Sequence, residues 1–457
     1  MSSKLLPVAW NLLLSACSPS YIGKFFSKPK KGKTCYIWEQ KTGRICIYHG
    51  VNVSNYSKSA PDFLPWQTKD DFARLKDWGF NLVRYIVLWE AIEPTKGIYN
   101  IPYIQATLER LKWLQELRID VIIDVHQDLF ARRFTGNGFP DWTVHDNGIP
   151  FVCQSPWNMN YFQQALVASY DYFWRSDELQ TAYINMLRYV MPQFDRMENV
   201  IGIDVMNEPF LSTIPSFEKK VLTDFYSRIL AMMRANGFKS KMFFEPEMYT
   251  SAGIPSNLKF VPQPESIGGY PCVYYPHYYD AFCHEGAAYE PLNKTIMTRA
   301  MNIKQAEAQQ FGVPLMIGEF GISAAVKGYE QYLRDFVHMS NEGLFGWTVY
   351  TYDKNPSSDV FGVINDDGSP SGQLKAILSV YPQKIAGRNP IIKIIGNNFN
   401  LYYDTDPLIT GPTEIFIPEG LQYLVVRAND KNVPCQSGLF LYHNNEDKKQ
   451  HIFISWA

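Results

Sequence analysis

Cysteine is sparse in this chain and never clustered. Seven cysteines lie among 457 residues without a CxxC pair or a Cys/His ligand spacing, which argues against a zinc site. Charge is also scarce. Charged residues make up 19% and the net charge is −2, so there is no electrostatic case for nucleic acid or for an anionic membrane surface. No internal repeat or low-complexity tract is present, and no apolar run is long enough to cross a bilayer as a helix. No glycine-rich phosphate turn follows the first strand candidate, which disfavours a doubly wound nucleotide-binding sheet.

What is abundant is apolar and aromatic. Hydrophobic residues reach 46% and aromatics 15%, with 11 Trp and 29 Tyr, a globular composition that suits carbohydrate platforms as well as a large core. Cys272 and Cys283 flank VYYPHYYDAF. They would staple a loop in an oxidising compartment and remain free thiols in a reducing one. At the N-terminus, Lys4 precedes LLPVAWNLLLSAC, a short apolar stretch broken by Pro7 and Asn11. It has the length of a signal-peptide core, and Leu14-Ser15-Ala16-Cys17 resembles a lipoprotein box that would lipidate Cys17. The expected location is therefore secreted or lipid-anchored at the cell envelope. The competing reading is an arm packed on the fold of a cytoplasmic protein.

Apolar strand-like runs alternate with amphipathic segments. The strand candidates span residues 44–53, 81–89, 121–128, 200–209, 241–249, 272–279, 313–321 and 344–352. Between them lie helical patterns such as SFEKKVLTDFYSRILAMMRANG, where Phe217, Val221, Leu222, Phe225 and Ile229 recur at helical spacing and Gly237 supplies the stop. Eight such β-then-α units predict a (β/α)₈ TIM barrel. After Gln383 the character changes to short apolar runs separated by Gly, Pro, Asn and Asp without helical stretches, which predicts an antiparallel β-sandwich. The expected organisation is an arm or leader over 1–33, a catalytic barrel over 34–386 and a C-terminal β-sandwich over 387–457. The sandwich reads as a cap on the barrel more than as a carbohydrate-binding module, because no row of tryptophans is evident in it.

Two strand candidates end in acids: Glu208 in IGIDVMNEPF and Glu319 in PLMIGEFG. Two glutamates on different strand tips of one barrel can face an anomeric carbon from opposite sides, as retaining glycoside hydrolysis requires. Other polar residues gather at the same end. Arg84 is on the second strand, Asp124 and His126 on the third, Asn207 beside Glu208 on the fourth, His277 and Tyr279 on the sixth, and Trp347 on the eighth. A lone NEP or IGEFG is usually only a strand-end turn, and a lone His277 among aromatics is usually a core residue. The set as a whole resembles glycoside hydrolase family five, in that family's order and on its strands. Segments GVNVSNYSK, DVHQDLF, GNGFPDW, PWNMNYF, YDYFW, DVMNEPF and GPTEIFIPEG are most similar to endoglycoceramidases and related glycolipid β-glycosidases.

The resemblance implies roles with physical reasons. Glu319 as nucleophile must be ionised, which Arg84 favours by charge and Tyr279 by a hydrogen bond. Glu208 as acid/base must start protonated, and an anion about 5 Å away opposes its ionisation by on the order of 3 kcal/mol at an effective dielectric near 20. That repulsion vanishes once Glu319 is esterified, so one pair serves both steps. Asn207 is expected on the sugar 2-hydroxyl, His126 and Asp124 on other hydroxyls, and Trp347 against a pyranose face. Lys58 and Trp174 are expected in the same pocket. Glu245 and Glu247, at the fifth strand tip, either touch sugar or cap the barrel.

The loop LFARRFTGNGFPDW carries Phe130, Phe134, Phe139 and Trp142 and is expected to form a groove for a lipid aglycone. The resemblance thus implies a monomeric, endo-acting glycolipid β-glycosidase that needs no metal or cofactor, binds no nucleic acid and can meet a membrane surface. An exo-acting glucosylceramidase or sterylglucosidase is the second reading, a cellulase-like endoglucanase the third. A non-catalytic glycolipid binder is the alternative of a different class, disfavoured because both carboxylates are kept.

Overall fold

The computed structural model describes residues 34–155, 157–210, 212–260, 262, 272–354 and 361–457. The expected leader and Cys17 lie outside the described residues. Eight parallel strands follow one another around a ring: His49–Val53, Leu82–Leu88, Asp120–His126, Val200–Asp204, Lys241–Phe244, Val273–Tyr274, Met316–Phe320 and Gly346–Val349. The eighth pairs with the first through Trp347↔His49 and Val349↔Val51. Isolated bridges Tyr274↔Leu315 and Tyr278↔Phe320 join the sixth to the seventh and complete the ring.

The second strand is buried along its whole length, as the continuous apolar run demands when helices cover a parallel sheet. Helix starts follow local chemistry. Thr68 and Asp71 form a capping box on Lys69–Asp77, and the Asn100 side chain accepts from Tyr103 N ahead of Ile101–Glu116. Most strands are shorter than their apolar runs. The fourth ends at Asp204, four residues before Glu208, and Glu208 itself takes φ 38° in the following loop. Pro209 comes next and cannot donate to a ladder.

The C-terminal unit is a two-sheet antiparallel sandwich. One sheet orders Arg388–Ile395, Asn398–Asp404, Lys449–Ser455, Val425–Ala428 and Lys431–Asn432. The other begins earlier than residue 387. Its strands are Tyr381–Ile385, Thr413–Ile417 and Gly438–Tyr442, together with Ile37–Trp38 and Ile45–Cys46 from ahead of the barrel. Apolar side chains such as Ile45, Ile385, Phe399, Ile415 and Ile454 fill the space between the sheets.

The sandwich meets the barrel where strands begin. The Tyr381 ring stacks on His49 at 3.6 Å, and its hydroxyl donates to Gly79 O at 2.6 Å. Gly79 has φ 77°, and a Cβ there would lie 2.3 Å from the Phe416 ring, so the joint needs glycine. Cys272 and Cys283 are free and buried, and burial pushes both thiols up to about 12.

Candidate active site

The site is built upward from one buried cation. Arg84 points into the barrel with no solvent exposure. It pairs with Asp204 at 2.6 Å, Glu319 at 2.7 Å, Asp124 at 3.0 Å and Glu245 at 3.2 Å. It also donates to Asn52 Oδ1 at 2.9 Å and Asn207 Oδ1 at 2.8 Å. A guanidinium can be buried here because its fork of donors is fully used. Burial pushes the Asp204 and Glu245 carboxyls up.

Glu319 lies within the seventh strand. Its Oε1 takes Arg84 at 2.7 Å and its Oε2 takes the Tyr279 hydroxyl at 2.8 Å. Burial alone would raise this carboxyl, but the positive charges of His277, Arg84, Lys58 and His126 outweigh it and hold it at about 2. It is therefore an anion at neutral pH.

Glu208 is less enclosed. Its side chain is 15% exposed, with Oε1 at 2.9 Å from His277 Nδ1, and its backbone N donates to Glu245 Oε2 at 3.0 Å. His277 Nε2 lies 3.0 Å from Glu245 and Nδ1 lies 3.7 Å from Glu319. Burial would lower this imidazole, but Glu245 and Glu319 hold it well above its ordinary range.

Atoms of Glu208, His277 and Glu319 all fall within 4.8 Å of one another. A metal would need His277 neutral, which its carboxylate neighbours oppose. The carboxyl spacing instead fits direct displacement by one of them, since an intervening water requires about 6.5–9.5 Å.

The far wall is a chain of paired charges. His126 Nδ1 meets Asp124 at 2.7 Å and Nε2 meets Asp128 at 3.0 Å. Lys58 Nζ binds Asp128 at 2.8 Å and lies 3.2 Å from the Tyr350 hydroxyl, which donates to Asn55 Oδ1 at 2.5 Å. Asn207 spends one amide hydrogen on Gln127 O at 3.1 Å and keeps the other.

Residues 46–356 match the family model described as cellulase, glycosyl hydrolase family 5. The chain belongs to glycosyl hydrolase family 5. Endoglycoceramidase I of Rhodococcus hoagii (strain 103S) is 26% identical over 404 residues, covering 82% of this chain and 77% of that protein. Endo-glycoceramidase II from Rhodococcus sp., solved with ganglioside GM3, superposes with a TM-score of 0.85 at 26% identity, covering 93% of this chain and 100% of that one. Its lactosyl-enzyme intermediate superposes at 0.82 with 27% identity, covering 92% and 99%. The protein is thus a glycoside hydrolase.

This family 5 enzyme brings together Glu208, Glu319, Lys58, Arg84, Asp124, His126, Asn207, His277 and Tyr279, but not the two expected tryptophans. Trp347 is fully buried outside the barrel. It stacks on His49 at 4.3 Å and donates from Nε1 to Ser340 Oγ at 3.1 Å. Strand alternation decides this, because Thr348 is the inward residue and bonds Tyr275. The aromatic over the pocket is Tyr350, just past the strand.

Trp174 packs among Phe173, Phe217 and Phe225 and donates to Phe210 O at 3.1 Å, behind the pocket. Asp124 is wholly buried beneath His126, so it orients the imidazole and touches no sugar. Glu245 braces His277 and the Glu208 backbone. Glu247 caps the Met248–Ala252 turn and, through burial and Glu218, is raised to about 8.

The aromatic loop forms no groove. Phe130, Phe134 and Phe139 are buried, Phe130 stacks on Phe139 at 4.1 Å, and Trp142 packs on Trp89. Gly138 (φ 111°) lets the loop lie on the backbone of His126 and Gln127, where a Cβ would fall 2.6 Å from His126 O and Gln127 Cα. Exposed apolar side chains instead gather at Val152, Trp157, Met159 and Phe162. Asp128, Tyr350, Asn52 and Gln127 were not singled out from the sequence. Asp128 was signalled by lying two residues beyond His126 on the same tip.

Proposed function

We propose that the protein is an endo-acting β-glycosidase that releases the intact glycan from the ceramide of glycosphingolipids with net retention. The observation that carries this reading is the pair of close carboxylates in unlike settings. Glu319 is ionised in a cage of cations, and Glu208 stands beside it at the pocket's more open side. Glu319 attacks the anomeric carbon while Glu208 gives its proton to the departing lipid oxygen. Glu208 then takes a proton from water, which displaces Glu319 from the sugar.

Tyr279 releases its bond to Glu319 Oε2 as the ester forms, and the spare Asn207 hydrogen meets the sugar 2-hydroxyl. Lys58, His126, Asp128 and Tyr350 bind the remaining glycan hydroxyls. The lactosyl-enzyme and ganglioside complexes of the Rhodococcus protein support a pocket that takes more than one sugar.

The lipid side follows from where Glu208 stands. An acid/base lies beside the leaving group, and two residues on is Phe210, on which Tyr161 stacks at 4.9 Å. Trp157 meets Tyr161 at 5.7 Å and leads to exposed Met159 and Phe162. These ring contacts join buried Phe210 to the exposed Trp157–Phe162 segment, which suits an acyl chain leaving a lipid surface. Among the described residues no helix is long and apolar enough to cross a membrane.

Incubation with a ganglioside, glucosylceramide and a steryl glucoside tests the reading. Free oligosaccharide and ceramide from the ganglioside are expected. Glucose from either of the other two, with no oligosaccharide from the ganglioside, makes the enzyme exo-acting instead.

A further inference from the structure

The loop that carries Glu208 leaves the sheet at Asp204, yet its backbone is tied down residue by residue. Gln127 Nε2 donates to Asn207 O at 3.0 Å and to Glu208 O at 2.9 Å. Met248 N donates to Pro209 O at 3.1 Å, and Trp174 Nε1 donates to Phe210 O at 3.1 Å. Further on, Asp171 accepts from Ser212 Oγ at 2.5 Å and Thr213 N at 2.8 Å. Tyr170, Asp171 and Trp174 all belong to the helix Gln164–Arg175, with Tyr170 and Trp174 one turn apart on one face.

Gln127 is the centre of this arrangement, and its amide can point only one way. The two carbonyls can only accept, so Nε2 must face them. The Phe130 N–H can only donate, and it lies 3.4 Å from Oε1. The Tyr170 hydroxyl therefore donates to Oε1, at 2.5 Å. Gln127 and Tyr170 are both buried. Glu208 meanwhile holds φ 38°, a left-handed conformation that a glutamate keeps only where its surroundings over-determine it.

We propose that Gln127, locked by Tyr170, is a positioning residue that fixes the backbone of Glu208 and so aims its carboxyl at the leaving-group oxygen. The proposal rests on the acid/base assignment above. Glu319 is bonded to Arg84 and Tyr279 and has no bond to Gln127, so loss of Gln127 displaces the proton donor more than the nucleophile. The signature is a dependence on the leaving group. A lipid alcohol needs protonation to depart, whereas dinitrophenolate does not.

The test compares Gln127→Leu with wild type on lactosylceramide and on 2,4-dinitrophenyl β-lactoside. The expected kcat/KM falls about 100-fold on the lipid and less than about threefold on the aryl glycoside, the range one general acid contributes. Azide should raise kcat of the variant on the aryl substrate and yield the glycosyl azide, as the anion attacks the glycosyl ester of Glu319 without needing a base. Tyr170→Phe should show the same split at smaller amplitude, and it keeps the test valid if Gln127→Leu folds poorly.

Equal losses on both substrates for both variants would overturn the proposal and leave Gln127 as part of the fold alone. A Glu208→Gln control separates the two claims. If it too shows no leaving-group split, the acid/base reading itself fails. If it shows the split and the Gln127 and Tyr170 variants do not, only the clamp fails.

Discussion

The two carboxylates are held by different kinds of force. Glu319 sits inside a strand, and its surroundings act on its charge: a buried guanidinium, an imidazolium and a phenol converge on its two oxygens. Glu208 sits beyond a strand end, where Gln127 and Glu245 hold its backbone and its carboxyl meets His277 Nδ1 at 2.9 Å. The difference matches what each must do. A nucleophile needs one protonation state, which fixed charges can impose. A proton shuttle needs two states and one position, and the backbone anchors secure the position.

The strongest way to break the comparison is Glu319→Gln. Turnover of an activated aryl β-lactoside is expected to fall by several orders of magnitude, because no covalent step remains. Equal inertness of wild type and variant on every glycoside would instead favour a binding protein.

Next in size is Trp347→Ala, which removes a buried ring that faces away from the barrel interior. It should destabilise the fold by about 3–5 kcal/mol in urea unfolding without changing KM, whereas a raised KM would return Trp347 to the pocket.

The smallest effect is on stability against pH. Glu319 is depressed from an ordinary 4.5 to about 2 when folded, so its contribution is complete above the unfolded value and is lost as pH falls through the folded one. The slope corresponds to about 3 kcal/mol between roughly pH 5 and pH 2. Glu319→Gln should flatten that part of the curve, and an unchanged curve would mean that its charge is not held as described.

Side-chain facing is where local pattern and tertiary structure part. Trp347 was placed by its strand, but a one-residue change of parity sends a side chain to the opposite face of a sheet. Nothing in FGWTVYTY marks which residue faces inward until the first and seventh strands fix the register. The LFARRFTGNGFPDW loop reads as exposed because it is long and follows a strand tip. Its aromatics are buried because Gly138 allows it to fold back on the strand. Trp174 was expected against sugar and instead supports the loop that carries Glu208.

By itself, the sequence determined the alternation of eight apolar strands with amphipathic helices, the switch to short β-runs near residue 383, and the two glutamates with their arginine, histidines and tyrosine. These follow from periodicity and residue type, which act locally. Only the tertiary structure decided which aromatic overlooks the pocket, that Asp124 lies beneath His126, that the sandwich borrows Ile37–Trp38 and Ile45–Cys46 from ahead of the barrel, and that Gln127 anchors Glu208. Each of these depends on packing between elements, which brings groups as far apart as Gln127 and Tyr170, or Arg84 and Glu319, within hydrogen-bond reach.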